Sequence, residues 1–181
     1  AALITVSAAL FLVYGVRMAG RNLARLVLPV TSLGYAAPGA VLAVGLLIPL
    51  AALDHRAADA VLSITGHDPG LILTGTSAAI ILAYVVRFFG IAQGAVDAAF
   101  GRISPSLPMA ARSLGRGVGG TLRSVYLPLM RGSVASAMLV VFVYYVKELP
   151  STLLLPPFNF NTFSTRVYEL ASLERIGEAA P

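Results

Sequence analysis

The chain has 181 residues, 57% of them hydrophobic and only 12% charged, which excludes an ordinary soluble domain, and several apolar runs are long enough to span a bilayer. Its net charge of +5 is not a nucleic-acid footprint, because the arginines collect in two connectors rather than in a patch interleaved with aromatics. Positive-inside topology accounts for them. With no cysteine in the sequence, disulfides, thiolate metal sites and cysteine nucleophiles are excluded.

Ala1 to Val16 carries no charge. At about 1.5 Å per residue it reaches roughly 24 Å, short of the roughly 30 Å of a hydrocarbon core, so its beginning is expected to lie outside the given sequence. It has no charged leader and no cleavage pattern, and so does not read as a signal peptide. Arg17, Arg21 and Arg25 follow without a nearby acidic partner, which places this connector in the cytoplasm. A second span is expected over 26–53, uncharged but interrupted by Pro29, Pro38 and Pro49 with Gly34, Gly39 and Gly45 between them. Such a kinked or broken helix needs neighbours that satisfy its freed backbone groups, so it should be buried in protein. Its Gly/Ala content serves either close packing or a transport pathway.

Asp54 to Pro69 is polar, and Asp54, Arg56, Asp59 and Asp68 sum to minus two, which fits an outer loop. His55 and His67 lie there without the helical spacing of a metal pair. A third span is expected over 70–99, with Arg87 about 25 Å along it, near the inner interface, where a long cation can snorkel or serve function.

The stretch Ser104 to Pro128, SPSLPMAARSLGRGVGGTLRSVYLP, is the most cytoplasmic part of the chain, since Gly101 to Arg131 holds five arginines and no acid. It reads as two short helices joined at Gly115, with Ser104 or Ser106 as N-cap and Pro105 or Pro108 in the first turn. Leu107, Ala110, Ala111 and Leu114 share one face at i, i+3, i+4 and i+7, and Val118, Leu122, Val125 and Tyr126 form a second. Leu127-Pro128 opens the next segment. The glycines 115, 117 and 120 spell G-x-G-x-x-G, but no strand precedes them, so a dinucleotide site is not expected.

The order Ala110-Ala111, then Gly115, Val125 and Leu127-Pro128 resembles the EAA loop of ABC importer permeases, the signature of their cytoplasmic coupling helices. Met109 stands where that family usually has its Glu, so the polar contact made by that Glu is not expected here. Glu178-Ala179-Ala180 also spells EAA but has no Gly or Leu-Pro after it.

A fourth span is expected over 129–155, with a small-residue face of Gly132, Ser133, Ser136 and Ala137. Lys147 and Glu148 lie inside this apolar run, where charges are costly and mark a pathway or an internal pair. Being adjacent, they cannot face one another on a helix, so each needs a partner elsewhere or water. Pro156-Pro157 ends the segment. Asn161 or Thr162 then caps an interfacial helix over 161–173, with Phe163, Val167, Leu170 and Ala171 on one face and Arg166 and Glu169 turned away.

The phrases Ser32 to Gly39, Tyr84 to Phe88, Lys147 to Leu155, and Arg166 to Ser172 with Glu174-Arg175 are similar to segments of ferric-iron importer permeases, the last ones to their C-terminal repeat. The resemblance implies an all-α membrane protein with the type I ABC importer (MetI-like) helical bundle. This chain would be one transmembrane domain truncated at both ends, with about four spans, a cytoplasmic coupling loop over 100–128 and a periplasmic helix over 161–173. The implied function is the permease subunit of an ATP-driven importer in the bacterial inner membrane. Its partners would be cytoplasmic ABC ATPase subunits holding ATP and Mg, a periplasmic substrate-binding protein and a second permease half, fused or separate.

The implied coupling residues are Ala110, Ala111, Leu114, Gly115, Val125, Leu127 and Pro128. No P-loop G-x-x-x-x-G-K-[ST] occurs, so ATP hydrolysis and its cofactors are expected on the partner rather than on this chain. The implied substrate is ferric ion. From the residues themselves, Glu148 with Tyr144 or Tyr145 offers oxygen ligands to a hard cation, but no firm metal site. Thiamine, polyamine or phosphonate importers share the loop, and an ATP-independent secondary transporter or a membrane anchor fits the broken helices and buried charges too.

Overall fold

The computed structural model describes residues 1–155 and 161–174. Among them the regular structure is entirely helical: α1 (Ala2–Ala19), α2 (Arg21–Ala36), α3 (Gly39–Thr65), α4 (Ser77–Gly101), α5 (Ser106–Ser113), α6 (Val118–Thr121), a π-helical turn (Leu122–Tyr126), α7 (Leu127–Lys147), α8 (Pro150–Leu154) and α9 (Phe163–Ser172). Pro156 and Pro157, Arg175 and Glu178 to Pro181 lie outside the described residues. Four helical stretches among the described residues are long and apolar enough to cross a membrane: Ala2–Ala19, Gly39–Thr65, Ser77–Gly101 and Val118–Lys147.

Several boundaries differ from those expected. The segment 26–53 is not one span. Pro38 is extended (φ −55°, ψ 139°), and the residue before a proline is steered away from helix, so the chain breaks between α2 and α3. α3 then runs on through the polar residues 54–65 that were expected to form an outer loop. This is possible because Asp54 turns inward, fully buried, and accepts from the backbone N–H groups of Ile72 (3.1 Å), Leu73 (2.8 Å) and Thr74 (2.6 Å). The loop is thereby confined to residues 66–76, and α4 starts seven residues later than position 70.

The last long helix starts earlier than position 129, since α6, the π turn and α7 are continuous from Val118 to Lys147. Ser124 is four residues before Pro128, where a proline ring would strike an α-helical carbonyl, and the π turn widens the helix there. The helix stops at Lys147 rather than at 155, and α8 follows after a break at Glu148-Leu149.

The chain divides into two compact units. One comprises Ala1–Tyr35 and Phe88–Phe142, the other Ala36–Arg87 and Val143–Pro181. In the first unit Val6, Ala9, Val13, Ala92, Val96 and Val141, small or branched, are buried together with Met130 in the core. Beside Pro29 of α2, the Gln93 amide of α4 donates to the Leu28 carbonyl (2.8 Å), and Thr31 bonds Gln93; the burial expected over 26–53 is otherwise incomplete, since Val41, Val44, Ile48 and Leu53 of α3 are exposed. Of the expected small-residue face, Ala137 is buried, whereas Gly132 and Ser136 line an open groove with Ala95 and Ala98.

In the second unit α3 packs on α8. Thr162, not Asn161, caps α9 through a capping box with Thr165, and Asn161 reaches Glu169 instead (3.4 Å). Leu170 is the buried member of the expected apolar face of α9, while Phe163 and Ala171 are exposed.

Candidate functional site

In the first unit the arginine-rich stretch forms a helix–turn–helix with many exposed side chains. α5 has Pro105 at its N-cap position without a side-chain cap, and the hydroxyls of Ser104 and Ser106 bond each other (2.8 Å) rather than the helix end. Gly115 has φ +80°, a left-handed conformation that an L side chain adopts only with strain, and its N–H returns to the Arg112 carbonyl (2.9 Å). The expected faces are only partly inward. Ala111 is buried with Pro108, Val125 is half-buried, and Ala110, Leu127 and Pro128 are exposed. Leu107, Met109, Leu114 and Val118 also face outward, Leu114 at 84% and Met109 at 65% exposure.

Beneath this knob lies an aromatic base. Tyr14 of α1, Phe100 of α4 and Tyr126 of the π turn meet with ring centroids 4.8 to 5.9 Å apart. The Tyr14 hydroxyl donates to the Val118 carbonyl (2.6 Å), tying α1 to the start of α6. Arg17 stands over the Phe100 ring (5.8 Å) and pairs with Asp97 of α4 (2.8 Å). Arg17 was expected to lack an acidic partner, but eighty residues of chain bring Asp97 to it. Tyr14, Phe100 and Asp97 were not among the expected site residues, because nothing local in the sequence marks them.

In the second unit the charged residue of interest is Glu148, buried at the break between α7 and α8. Its Oε2 lies 3.1 Å from Nε of Arg87, with side chains only 6% and 17% exposed. Its Oε1 accepts from the Ser151 N–H (3.1 Å) and lies 2.7 Å from the Ser151 hydroxyl, which is also 3.1 Å from the Gly39 carbonyl. Arg87 Nη1 donates to the Ala37 carbonyl (3.0 Å) at the other break, between α2 and α3. Since α4 begins at Ser77, Arg87 is about 15 Å along it rather than about 25 Å, so it does not snorkel to an interface.

Gly39 makes the cluster possible. A Cβ there would lie 2.6 Å from Glu148 Oε1, 2.8 Å from Arg87 Nη1 and 2.9 Å from Ser151 Oγ. The Glu148 carbonyl is engaged too, by the hydroxyls of Thr152 (3.0 Å) and Ser164 (2.7 Å). Tyr145 is buried against Tyr84 (centroids 5.0 Å), whose hydroxyl bonds Thr152. Tyr144 and Lys147 are exposed, so the structure brings Tyr145 near the Glu148 cluster and turns Tyr144 away. Among the described residues no group of three His, Cys, Asp or Glu side chains gathers.

These features define an all-helical membrane protein with a buried ion pair at two helix breaks and an exposed, basic helix–turn–helix. No protein-family model matches the chain. It is similar to the Fe(3+)-transport system permease protein FbpB 2 of Haemophilus influenzae, 33% identical over 102 residues, which is 56% of this chain and 20% of that protein. The matched part is thus about a fifth of the relative's length.

Proposed function

We propose that this chain is part of the permease subunit of a type I ABC importer in a bacterial inner membrane. The observation that carries the reading is the knob around Gly115, with exposed Leu107, Met109, Leu114 and Val118 set on an aromatic base. The spacing of Ala110, Ala111, Gly115, Val125, Leu127 and Pro128 is what made the loop resemble a coupling element. An ATPase subunit holding ATP and Mg would receive the knob in a surface groove, and its closure would move the knob as a rigid body. The cost of exposing these apolar side chains is offset only when a partner covers them.

The substrate we propose is ferric ion, delivered by a periplasmic binding protein, with a second permease half completing the pathway. Support comes from the relative, whose name states Fe(3+) transport, and from Glu148, a carboxylate at two discontinuous helices, the arrangement typical of transport sites. Thiamine, polyamines and phosphonates are the alternative substrates. The same broken helices favour a secondary transporter as the second reading.

The test is uptake of labelled ferric ion by cells carrying the full-length gene, with thiamine and spermidine as competitors, together with capture of an ATPase subunit. Uptake that ignores the competitors, and that is lost along with ATPase capture in Gly115→Pro, supports the reading. Normal uptake without any associated ATPase gives the secondary transporter, and normal uptake by the Gly115→Pro protein removes the coupling argument.

A further inference from the structure

The atoms around the Arg87 guanidinium are those that a hard cation seeks. Nε faces a carboxylate oxygen of Glu148, and Nη1 faces the Ala37 carbonyl. The Ser151 hydroxyl and the Gly39 carbonyl stand beside them, 3.1 Å apart. Carboxylate, carbonyl and hydroxyl oxygens are the ligand set of hard metal ions, and here a side-chain cation occupies their focus. The Ala37 carbonyl lies in the break between α2 and α3, outside either helix, and turns to the guanidinium, while the Gly39 carbonyl, in the first turn of α3, meets the Ser151 hydroxyl with its second lone pair.

We propose that Glu148, with the carbonyls of Ala37 and Gly39 and the Ser151 hydroxyl, is a transit site for a hard multivalent cation, and that Arg87 is its tethered counter-ion. An incoming cation displaces the guanidinium from Glu148, and the guanidinium returns as the cation leaves. The site therefore never holds an uncompensated buried carboxylate, which would be strongly unfavourable. A single carboxylate also keeps binding weak enough for release. This inference rests on the importer reading for its direction of transport, but the exchange itself belongs to the cluster.

Gly39 fits this role. Its missing side chain lets Glu148, Arg87 and Ser151 converge within 3 Å of one backbone position, and any Cβ would fill the space through which ions exchange. Tyr84 and Tyr145, whose tilted rings lie alongside, supply an optical reporter, and the 181 residues hold no tryptophan.

The experiment is a titration of the full-length protein in lipid nanodiscs with Tb3+, a trivalent oxygen-seeking probe whose emission is sensitised by nearby tyrosine. Removing a positive charge beside a cation site strengthens cation binding, so Arg87→Gln should bind Tb3+ roughly tenfold more tightly than the unaltered protein. Glu148→Gln should lose the sensitised signal, alone and combined with Arg87→Gln. Both single variants should slow ferric uptake, the first by retaining the ion and the second by failing to bind it.

Unchanged or weaker Tb3+ binding in Arg87→Gln, or a signal that survives Glu148→Gln, overturns the proposal. If Arg87→Gln does not yield folded protein by size-exclusion chromatography, Arg87→Met decides: it removes the charge and keeps the packing of the stem, so binding should still tighten, and unchanged binding overturns the proposal. The importer reading fails separately, when the full-length gene supports no ferric uptake while the Tb3+ responses hold.

Discussion

At the scale of single residues, Gly39 and its surroundings decide how the buried charges are held. Gly39→Ala puts a methyl group within 3 Å of three polar atoms, two of them an ion pair, so it should lower stability by about 2 kcal/mol through overpacking and lost pairing. Gly45→Ala lies on the same helix with nothing within 4 Å of its Cβ, and the helix propensity of alanine should leave it neutral or slightly stabilising. Thermal unfolding of the two variants in detergent measures the difference, and equal melting temperatures would count against a tight cluster. Glu148 was legible as a costly charge inside an apolar run. Its partner was not, because Arg87 gained its interfacial position from counting a helix from Gly70 that in fact begins at Ser77. The signal for that later start is the cluster of Gly70, Gly75 and Thr76, punctuation that ends a loop rather than begins a span.

At the scale of elements, two loops owe their shape to contacts that no local pattern shows. Asp54 was read as a polar loop residue by its charge, yet it is buried and holds the N–H groups of residues 72–74. A carboxylate that satisfies three backbone donors fixes its loop, so Asp54→Ala should cost about 2 kcal/mol or more, and Asp54→Asn less, since its amide oxygen still accepts. Hydrogen exchange at Ile72, Leu73 and Thr74 should speed up in that order of variants; unchanged protection in Asp54→Ala would show that the loop holds itself. The first half of the coupling-type loop was readable as a short helix that starts at a proline and ends at Gly115, but its second short helix was not, since α6 runs on through the π turn into α7. Its aromatic base was not, as Tyr14 and Val118 are 104 residues apart. Tyr14→Phe keeps the ring and loses one hydrogen bond, so it should loosen α6 by about 1 kcal/mol without unfolding the unit. Faster exchange confined to residues 118–121 is the expected readout, and exchange faster throughout α1 would mean that Tyr14 supports the core instead.

At the scale of the whole molecule, the charge pattern and the helices make one claim about sidedness that labelling decides. Arginines gather at 17–25 and 102–131, whereas 54–68 is net acidic, so the chain should cross the membrane between Arg25 and His67 and again between His67 and Ser113. The helices allow this even though the second expected span is broken: α3 and α4 each have the length for a crossing. Because these 181 residues contain no cysteine, His67→Cys, Ser113→Cys and Ser172→Cys can each be placed as a single reporter in this region. A membrane-impermeant maleimide should label positions 67 and 172 in right-side-out vesicles and position 113 only in inside-out ones. All three are exposed, so a failure to react from either side cannot be blamed on burial within the described residues. If position 113 reacts from outside, no cytoplasmic ATPase can reach Leu114 and Met109, and the coupling role is lost whatever the sequence of the loop resembles. If 113 reacts from inside but 172 does too, the knob keeps its role while the break at Glu148-Leu149 turns the chain back, and α8 becomes a re-entrant segment whose irregular backbone is tolerated because it lines a protein-enclosed site.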